Sequence, residues 1–580
     1  MNRFTGIFFV QGNLYWLVFA GVFFCGVSLV SCKEKTKPAE KVIVVAPEKM
    51  DDNVRDLIKN FIDYSITEKG KLDDTTVLYQ LPALISLYKQ KVFIPQWSSS
   101  QKWLAQGDSL LLFIENAKRY GLFPADYHSR QLLRIKKLFE EDKFQDKETR
   151  DAASWARADL MLSDALISVF HDIKLGRLPN DSITLRKDSV LTEEFVSSKF
   201  NAAASGLSLN MIISPLEPKH EGYRLLKEAL GHFLDSATFN PITKIVFPNK
   251  DQAALRTAVL KRLFETGYID STNLQSDSLQ LVGILKKYQK DKRLAADGKI
   301  GAQTIRMLNL SDEEKFKRIA ITMDRYKMLP EKMPEKFIWV NIPSYSLRLM
   351  SNDTLILSSK VVVGKPKTRT PVLTSAVNEM ITYPQWTIPQ SIIEKEILPG
   401  LKKDTGYLRK KGYSLLNGKN EEVSPDSVNW AKYKKKIPYK VIQGSGDDNA
   451  LGVLKFNFNN NYSVYLHDTN QRPFFGLDSR ALSHGCVRVQ EWEKMAYYIM
   501  KNESDSMAIK NKSKQIPVDS LTHWLAIKEK HSIPLRVRVP VFIRYFTCEV
   551  NGGQIIFFED IYDEDKQMSD LLFANKKNDE

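Results

Sequence analysis

Tyr465–Val489, YLHDTNQRPFFGLDSRALSHGCVRV, concentrates a cysteine, two histidines and a glycine in one short stretch. Acyl transfer through cysteine needs a thiolate, a base to take its proton, and donors for the oxyanion formed on attack at a carbonyl. Cys486 can supply the first, and His467 or His484 the second. Gly485 lets the backbone approach a substrate closely, and the consecutive amides of His484, Gly485 and Cys486 can form a donor nest. Ser483 and His484 then shape the pocket. A zinc site takes three or four ligands, and only Cys486, His484 and His467 lie near enough in sequence, so neither a metal nor a cofactor is expected.

The elements that must carry these groups can be read from periodicity. Tyr462, Val464 and Leu466 alternate with Ser463, Tyr465 and His467, which predicts a half-buried strand with His467 on its polar face, and favours His467 as the base. Val489, Trp492, Met495, Ala496 and Ile499 recur at helical spacing. Cys486 is therefore expected in the turn just before a helix N-terminus, where a thiol ionises more easily.

His467, a gap of fifteen residues, and then Ser483-His484-Gly485-Cys486-Val487-Arg488 resembles the signature of the YkuD-type L,D-transpeptidases. IWVNIPSYSLRL (338–349), YPQWTIPQSI (383–392), Asn449-Ala450-Leu451-Gly452 and VYLHDT (464–469) extend the resemblance to the large, multi-domain YcbB-like subgroup, over about 500 residues. The resemblance implies attack by Cys486 on the diaminopimelate carbonyl of a peptidoglycan tetrapeptide stem, release of D-alanine, and transfer of the acyl group to an amine. It implies Cys486 as nucleophile, His467 as base, and the amides of Gly485 and Cys486 as oxyanion donors. Arg488, Tyr465 and Asn449 are candidate substrate contacts, Arg488 because its fork suits a carboxylate or, equally, backbone carbonyls. Many relatives follow the histidine with glycine and threonine, whereas Asp468 and Thr469 stand here, so the third member of a triad stays open.

A chain of 580 residues is too long for one core, and the reading is a multi-domain α+β protein. Met1–Cys32 reads as an export signal: Arg3, an uncharged run from Leu14 to Ser31, and Leu29-Val30-Ser31-Cys32, which resembles a lipobox with acylation on Cys32. Residues 33–50 suit a charged tether, and 51–250 a helical scaffold domain. In it Leu111, Ile114, Lys118 and Leu122 mark one helix, and Leu160 to Phe170 another that ends near Gly176. His128 and His171 there are isolated and expected to be structural. Residues 252–310 resemble a peptidoglycan-binding type 1 domain, with Asp297-Gly298 turning between helices. Residues 336–545 form a mainly β catalytic domain interrupted at about 391–440 by a lysine-rich insertion of helices and loops, a capping subdomain in the resembling subgroup. Residues 559–580, with 8 acidic and 3 basic groups, are expected to fray.

Composition narrows the classes further. The net charge is +15, and residues 401–440 alone hold 11 Lys or Arg against 4 Asp or Glu, nearly half of that excess. No basic face with interleaved aromatics in a nucleic-acid-binding fold is found, so an anionic wall or membrane surface fits better. Of four cysteines, Cys25 and Cys32 belong to the leader, leaving Cys486 and Cys548, either paired or with one reactive. The expected place is a bacterial cell envelope, facing the periplasm and lipid-anchored, with stem peptides and a membrane as partners. The alternatives are a carboxypeptidase or endopeptidase using the same apparatus, and an inert wall-binding lipoprotein.

Overall fold

The computed structural model describes residues 37–142, 147–179, 191–505 and 516–573. The expected leader, with Cys25 and Cys32, lies outside the described residues. No described helix is long and apolar enough to cross a membrane.

Helices α1 (Met50–Thr67), α2 (Ala105–Glu115) and α3 (Ala152–Lys174) share one apolar core of Ile58, Phe61, Leu110, Leu166 and Phe170 with their neighbours. Most of α3 is buried, including Asp159, Ser163 and Asp164, and buried polar groups need partners. Asp159 accepts from the amides of Gln96 (2.8 Å) and Trp97 (2.9 Å), and burial pushes its carboxyl up to about 6. Asp164 takes the Gln80 amide (2.7 Å) and the ring of buried His128 (2.8 Å), a structural setting for that histidine. His171 faces its neighbour Asp172 (3.1 Å).

Two expectations here are corrected. Helix α2 stops at Glu115, and Lys118 lies on a separate 3-10 turn, Ala117–Tyr120, which ends at Gly121 (φ 71°), where a Cβ would meet the Met323 sulfur at 2.8 Å. The segment expected as a free tether is pinned from Val42 onward: the Val42 amide donates to Asp151 Oδ1 (2.7 Å), and Val44 is buried in the helical core.

Helices α4 (Gln252–Glu265), α5 (Ser278–Asp291) and α6 (Ala302–Leu308) close a separate small core of Leu255, Leu263, Leu285, Tyr288 and Leu308. Helix α7 (Asp312–Lys327) then leads to the β-rich region. Its buried Asp324 binds Arg177 (3.0 Å) and Lys327 (2.8 Å), tying it to the chain after α3.

The sheet strands are β1 (Lys336–Asn341), β2 (Ser346–Ser351), β3 (Thr354–Gly364), β4 (Leu373–Thr382), β8 (Leu454–Phe458), β9 (Leu466–His467), β10 (Ala481–Ser483), β11 (Val487–Val489) and β12 (Ser532–Arg544). Their order is β10-β3-β11-β9-β8-β4-β12-β1-β2. Long β3 pairs with β2 along its first half and with β11 and β10 along its second, which closes the sheet on itself around Ile338, Val377, Phe456, Leu466 and Val487. Helix α8 (Trp492–Asp505) packs on this core through Trp492, Met495, Ala496 and Ile499. Asn352 and Asp353, both at positive φ, make the tight turn between β2 and β3.

Between β4 and β8 the insertion builds its own core of Ile392, Ile397, Leu401, Leu408, Leu415, Trp430 and Val441. It is not helix and loop alone, since β5 (Trp386–Thr387), β7 (Lys440–Gln443) and β6 (Tyr413–Leu416) form a three-stranded antiparallel sheet in that order. The acidic tail does not fray at Glu559. Helix α9 (Glu564–Phe573) docks on α7, with Phe573 against Phe123 at 4.3 Å and Asp565 on Arg325 at 2.5 Å. Residues 574–580 lie outside the described residues.

Candidate active site

Strands β9 and β11 run parallel with Leu466 opposite Val487 and His467 opposite Arg488, and the Val487 amide donates to the Tyr465 carbonyl at 3.1 Å. This register sets Cys486 level with Tyr465 and two residue pairs from His467. Strand β8 flanks β9 on its other side with Lys455 opposite His467. Lys455, His467 and Arg488 therefore form a row across three adjacent strands.

The location of Cys486 differs from the expected helix N-terminus. The three-residue strand β11 stands between the cysteine and α8, so the helix dipole is not at the sulfur. Burial raises the thiol above its usual range, while hydrogen bonding from the Tyr465 amide and hydroxyl and the charges of Lys455 and Arg488 pull it back down. The thiol also faces the Ser463 carbonyl at 3.8 Å. Cys486 forms no disulfide, and neither does buried Cys548, whose thiol donates to Thr322 Oγ1 (3.3 Å) and is pushed up to about 12 by burial.

His467 is not on an exposed polar face. The strand is only two residues long, and His467 is 3% exposed. Its pKa falls to about 3, first from burial and then from Arg488, with Lys455 adding to the effect, while backbone groups of Asp468 and Leu451 oppose it. The imidazole is thus neutral at physiological pH, and its buried Nδ1 makes no hydrogen bond among the described residues. The Asp468 carboxylate is directed elsewhere, to the Val453 amide (3.1 Å) and Arg472 (3.0 Å).

The Ser483–Cys486 loop is folded by its own side chains. Ser483 Oγ donates to the Cys486 carbonyl (2.6 Å) and accepts from the Gly485 amide (3.1 Å). The Gly485 amide, expected as an oxyanion donor, is therefore engaged within the loop, which leaves the Cys486 amide as the candidate of that pair. Gly485 sits at φ 124°, a conformation that L side chains rarely adopt. Thr370 Oγ1 donates to the Gly485 carbonyl (2.7 Å), and the Thr370 amide reaches the Tyr562 hydroxyl (3.1 Å), so a residue near the C-terminus braces the loop.

His484 does not line the sulfur's donor nest with its ring. The ring turns outward to Glu396 Oε1 at 2.6 Å, on the π-helical turn Ile393–Ile397 of the inserted subdomain. This contact joins the Ser483–Cys486 loop directly to the insertion.

Of the candidate substrate contacts, Tyr465 is half-buried and meets the His467 ring edge to face at 5.7 Å. Arg488 is half-buried, donates to Thr469 Oγ1 (3.2 Å), lies over the Phe474 ring at 5.6 Å, and keeps a buried Nε without a partner. Asn449 is removed from this group: it is 2% exposed, with its amide donating to the Gly444 carbonyl (2.7 Å) and its oxygen accepting from Leu451 (2.8 Å). It fastens the chain returning from the insertion to the loop before β8.

The sequence reading did not single out Lys455, Glu396, Thr370 or Tyr562. Lys455 alone carried a visible signal, since it lies on the polar side of the alternating Leu454–Phe458 strand. The other three converge through pairings that span about 90 residues or more.

The model of the YkuD L,D-transpeptidase catalytic domain matches residues 335–505, and that of the Scaffold domain residues 82–230. A putative L,D-transpeptidase of Haemophilus influenzae is 35% identical over 281 residues, 48% of this chain and 55% of that protein. The chain thus spans about half the length of the curated relative it matches. Among solved structures, a cysteine-to-serine mutant of the Enterococcus faecium L,D-transpeptidase matches at 13% identity over 37% of this chain and 50% of its own, with a TM-score of 0.15. The avibactam carbamoyl enzyme of Ldtfm matches at 12% identity over 41% and 64%, with a TM-score of 0.17.

Proposed function

Residues 335–505 belong to the YkuD family of L,D-transpeptidase catalytic domains, preceded by a Scaffold domain at 82–230, and from that premise we propose that the chain cross-links peptidoglycan by acyl transfer through Cys486. The observation that supports this reading is the parallel pairing of β9 with β11, which brings Cys486 and His467 onto adjacent strands two residue pairs apart, with the buried His467 Nδ1 making no hydrogen bond among the described residues.

His467 takes the proton as the sulfur attacks the diaminopimelate carbonyl of a tetrapeptide stem, and a C–S bond forms while the oxyanion faces the Cys486 amide. The tetrahedral intermediate expels D-alanine as the imidazolium returns its proton to the leaving nitrogen. An acceptor amine then attacks the thioester, loses a proton to His467, and displaces the thiolate. The guanidinium of half-buried Arg488, opposite His467 in the β9–β11 register, suits a substrate carboxylate. The insertion, joined to the loop through Glu396 and His484, orders the stem peptide over the thiol.

The place of action is the cell envelope, with Cys32 acylated to hold the body at a membrane and the 252–310 unit contacting the wall. The test is to incubate the chain with defined disaccharide tetrapeptides and identify products by mass spectrometry. Cross-linked dimer with free D-alanine supports the reading. Tripeptide and D-alanine without dimer would replace it with a carboxypeptidase, and no D-alanine at all would leave a wall-binding protein.

A further inference from the structure

Lys455 has no role in the chemistry described above, yet its position is unusual. It lies opposite His467 on β8, and its Nζ sits 3.9 Å from the centre of the Tyr465 ring. That ring meets the His467 imidazole edge to face, and the Tyr465 carbonyl receives the amide that follows Cys486. An ammonium over an aromatic face is attracted to the ring quadrupole, more so when both are shielded from water. Lys455 and Tyr465 are both half-buried.

We propose that Lys455 is a positioning residue that, through the Tyr465 ring, fixes the geometry of the His467–Cys486 pair and supplies the positive field in which the thiol ionises. This deepens the transpeptidase reading and rests on it for its place in turnover, but not for its effect on the thiol.

The surroundings identify Lys455 as the movable part of that field. Strand β11 contributes Arg488, which is anchored to Thr469 and Phe474. Strand β9 contributes His467, which is neutral, and the segment before it contributes Tyr465. Strand β4 contributes Glu379, whose carboxylate draws the Lys455 proton affinity up but is itself held by Asn457 at 2.6 Å and by Ser532. The insertion contributes Glu396, which is taken up by His484. Burial lowers the lysine's own pKa, and the Cys486 sulfur and Glu379 raise it, so lysine and thiol stabilise each other's charged forms.

Alkylation of Cys486 by iodoacetamide across pH reads the thiolate without needing a stem peptide, and mass spectrometry of the Cys486 peptide separates it from the other cysteines. In the full chain, Lys455→Met is expected to raise the apparent thiol pKa by about one unit, so that alkylation below that pKa slows roughly tenfold. Lys455→Arg is expected to restore the wild-type profile. An unchanged profile in Lys455→Met overturns the proposal, as does a Lys455→Arg protein as defective as the methionine variant, because that result would assign a purely steric role. If Lys455→Met does not fold, Lys455→Gln carries the same comparison. Wild-type protein that releases no D-alanine but shows these shifts would refute the transpeptidase reading and leave this inference standing.

Discussion

Acid should loosen strands β9 and β11 through His467. In the unfolded chain its imidazole titrates near the ordinary value of about 6.5. In the fold, burial and the adjacent Arg488 and Lys455 hold it to about 3. Between these values the unfolded state binds a proton that the native state refuses, so stability is complete above about pH 6.5 and declines as pH falls toward 3. One proton is worth about 1.4 kcal/mol per pH unit, so lowering pH from about 6 to about 4 should cost roughly 3 kcal/mol through this residue. Because the chain has several cores, the assay must be local. Hydrogen exchange of peptides covering β9 and β11, taken as protection relative to the intrinsic exchange rate at each pH, should lose protection over that range, and His467→Gln, which keeps a neutral polar side chain, should flatten the dependence. Parallel loss of protection in wild type and His467→Gln, or an imidazole that titrates near 6.5, would refute the reasoning.

Three further outcomes follow from individual contacts. Glu396→Gln weakens the bridge from the insertion to His484 and should raise KM about two- to fivefold while leaving Cys486 alkylation near normal; equal losses in both would assign Glu396 a folding role. Gly452→Ala places a Cβ 2.3 Å from Asp468 Oδ2 at φ 63° and should destabilise by about 2 kcal/mol or more, seen as a lower denaturation midpoint in the catalytic domain. Cys548→Ala should cost about 1–2 kcal/mol from a lost buried contact and leave D-alanine release intact, which a turnover assay on the folded variant checks.

The resemblance in the sequence anticipated the YkuD-type β-rich domain and the helical Scaffold domain, and it named Cys486 and His467, which the fold carries on adjacent strands. Local periodicity was less dependable near the site. The alternation from Tyr462 to His467 suggested an exposed strand face, but β8 and β11 flank the segment on both sides, and only Leu466 and His467 form ladder pairs. The helical pattern from Val489 was correct for α8 but concealed β11, since Val487 and Val489 serve a strand and Trp492 begins the helix. The consecutive amides of His484, Gly485 and Cys486 were expected to form a donor nest, whereas the Gly485 amide donates to the Ser483 hydroxyl, which closes the turn on itself. The acidic tail was expected to fray by composition, yet Tyr562 and Phe573 anchor its described part in two cores. Such long-range pairings have no local signal.

The central claim is that Cys486 carries the acyl group. Mixing the chain with a disaccharide tetrapeptide, quenching within a single turnover and digesting should yield a Cys486 peptide heavier by the acyl tripeptide moiety, absent from Cys486→Ala. An adduct on another residue, or D-alanine release undiminished in Cys486→Ala, would contradict the account.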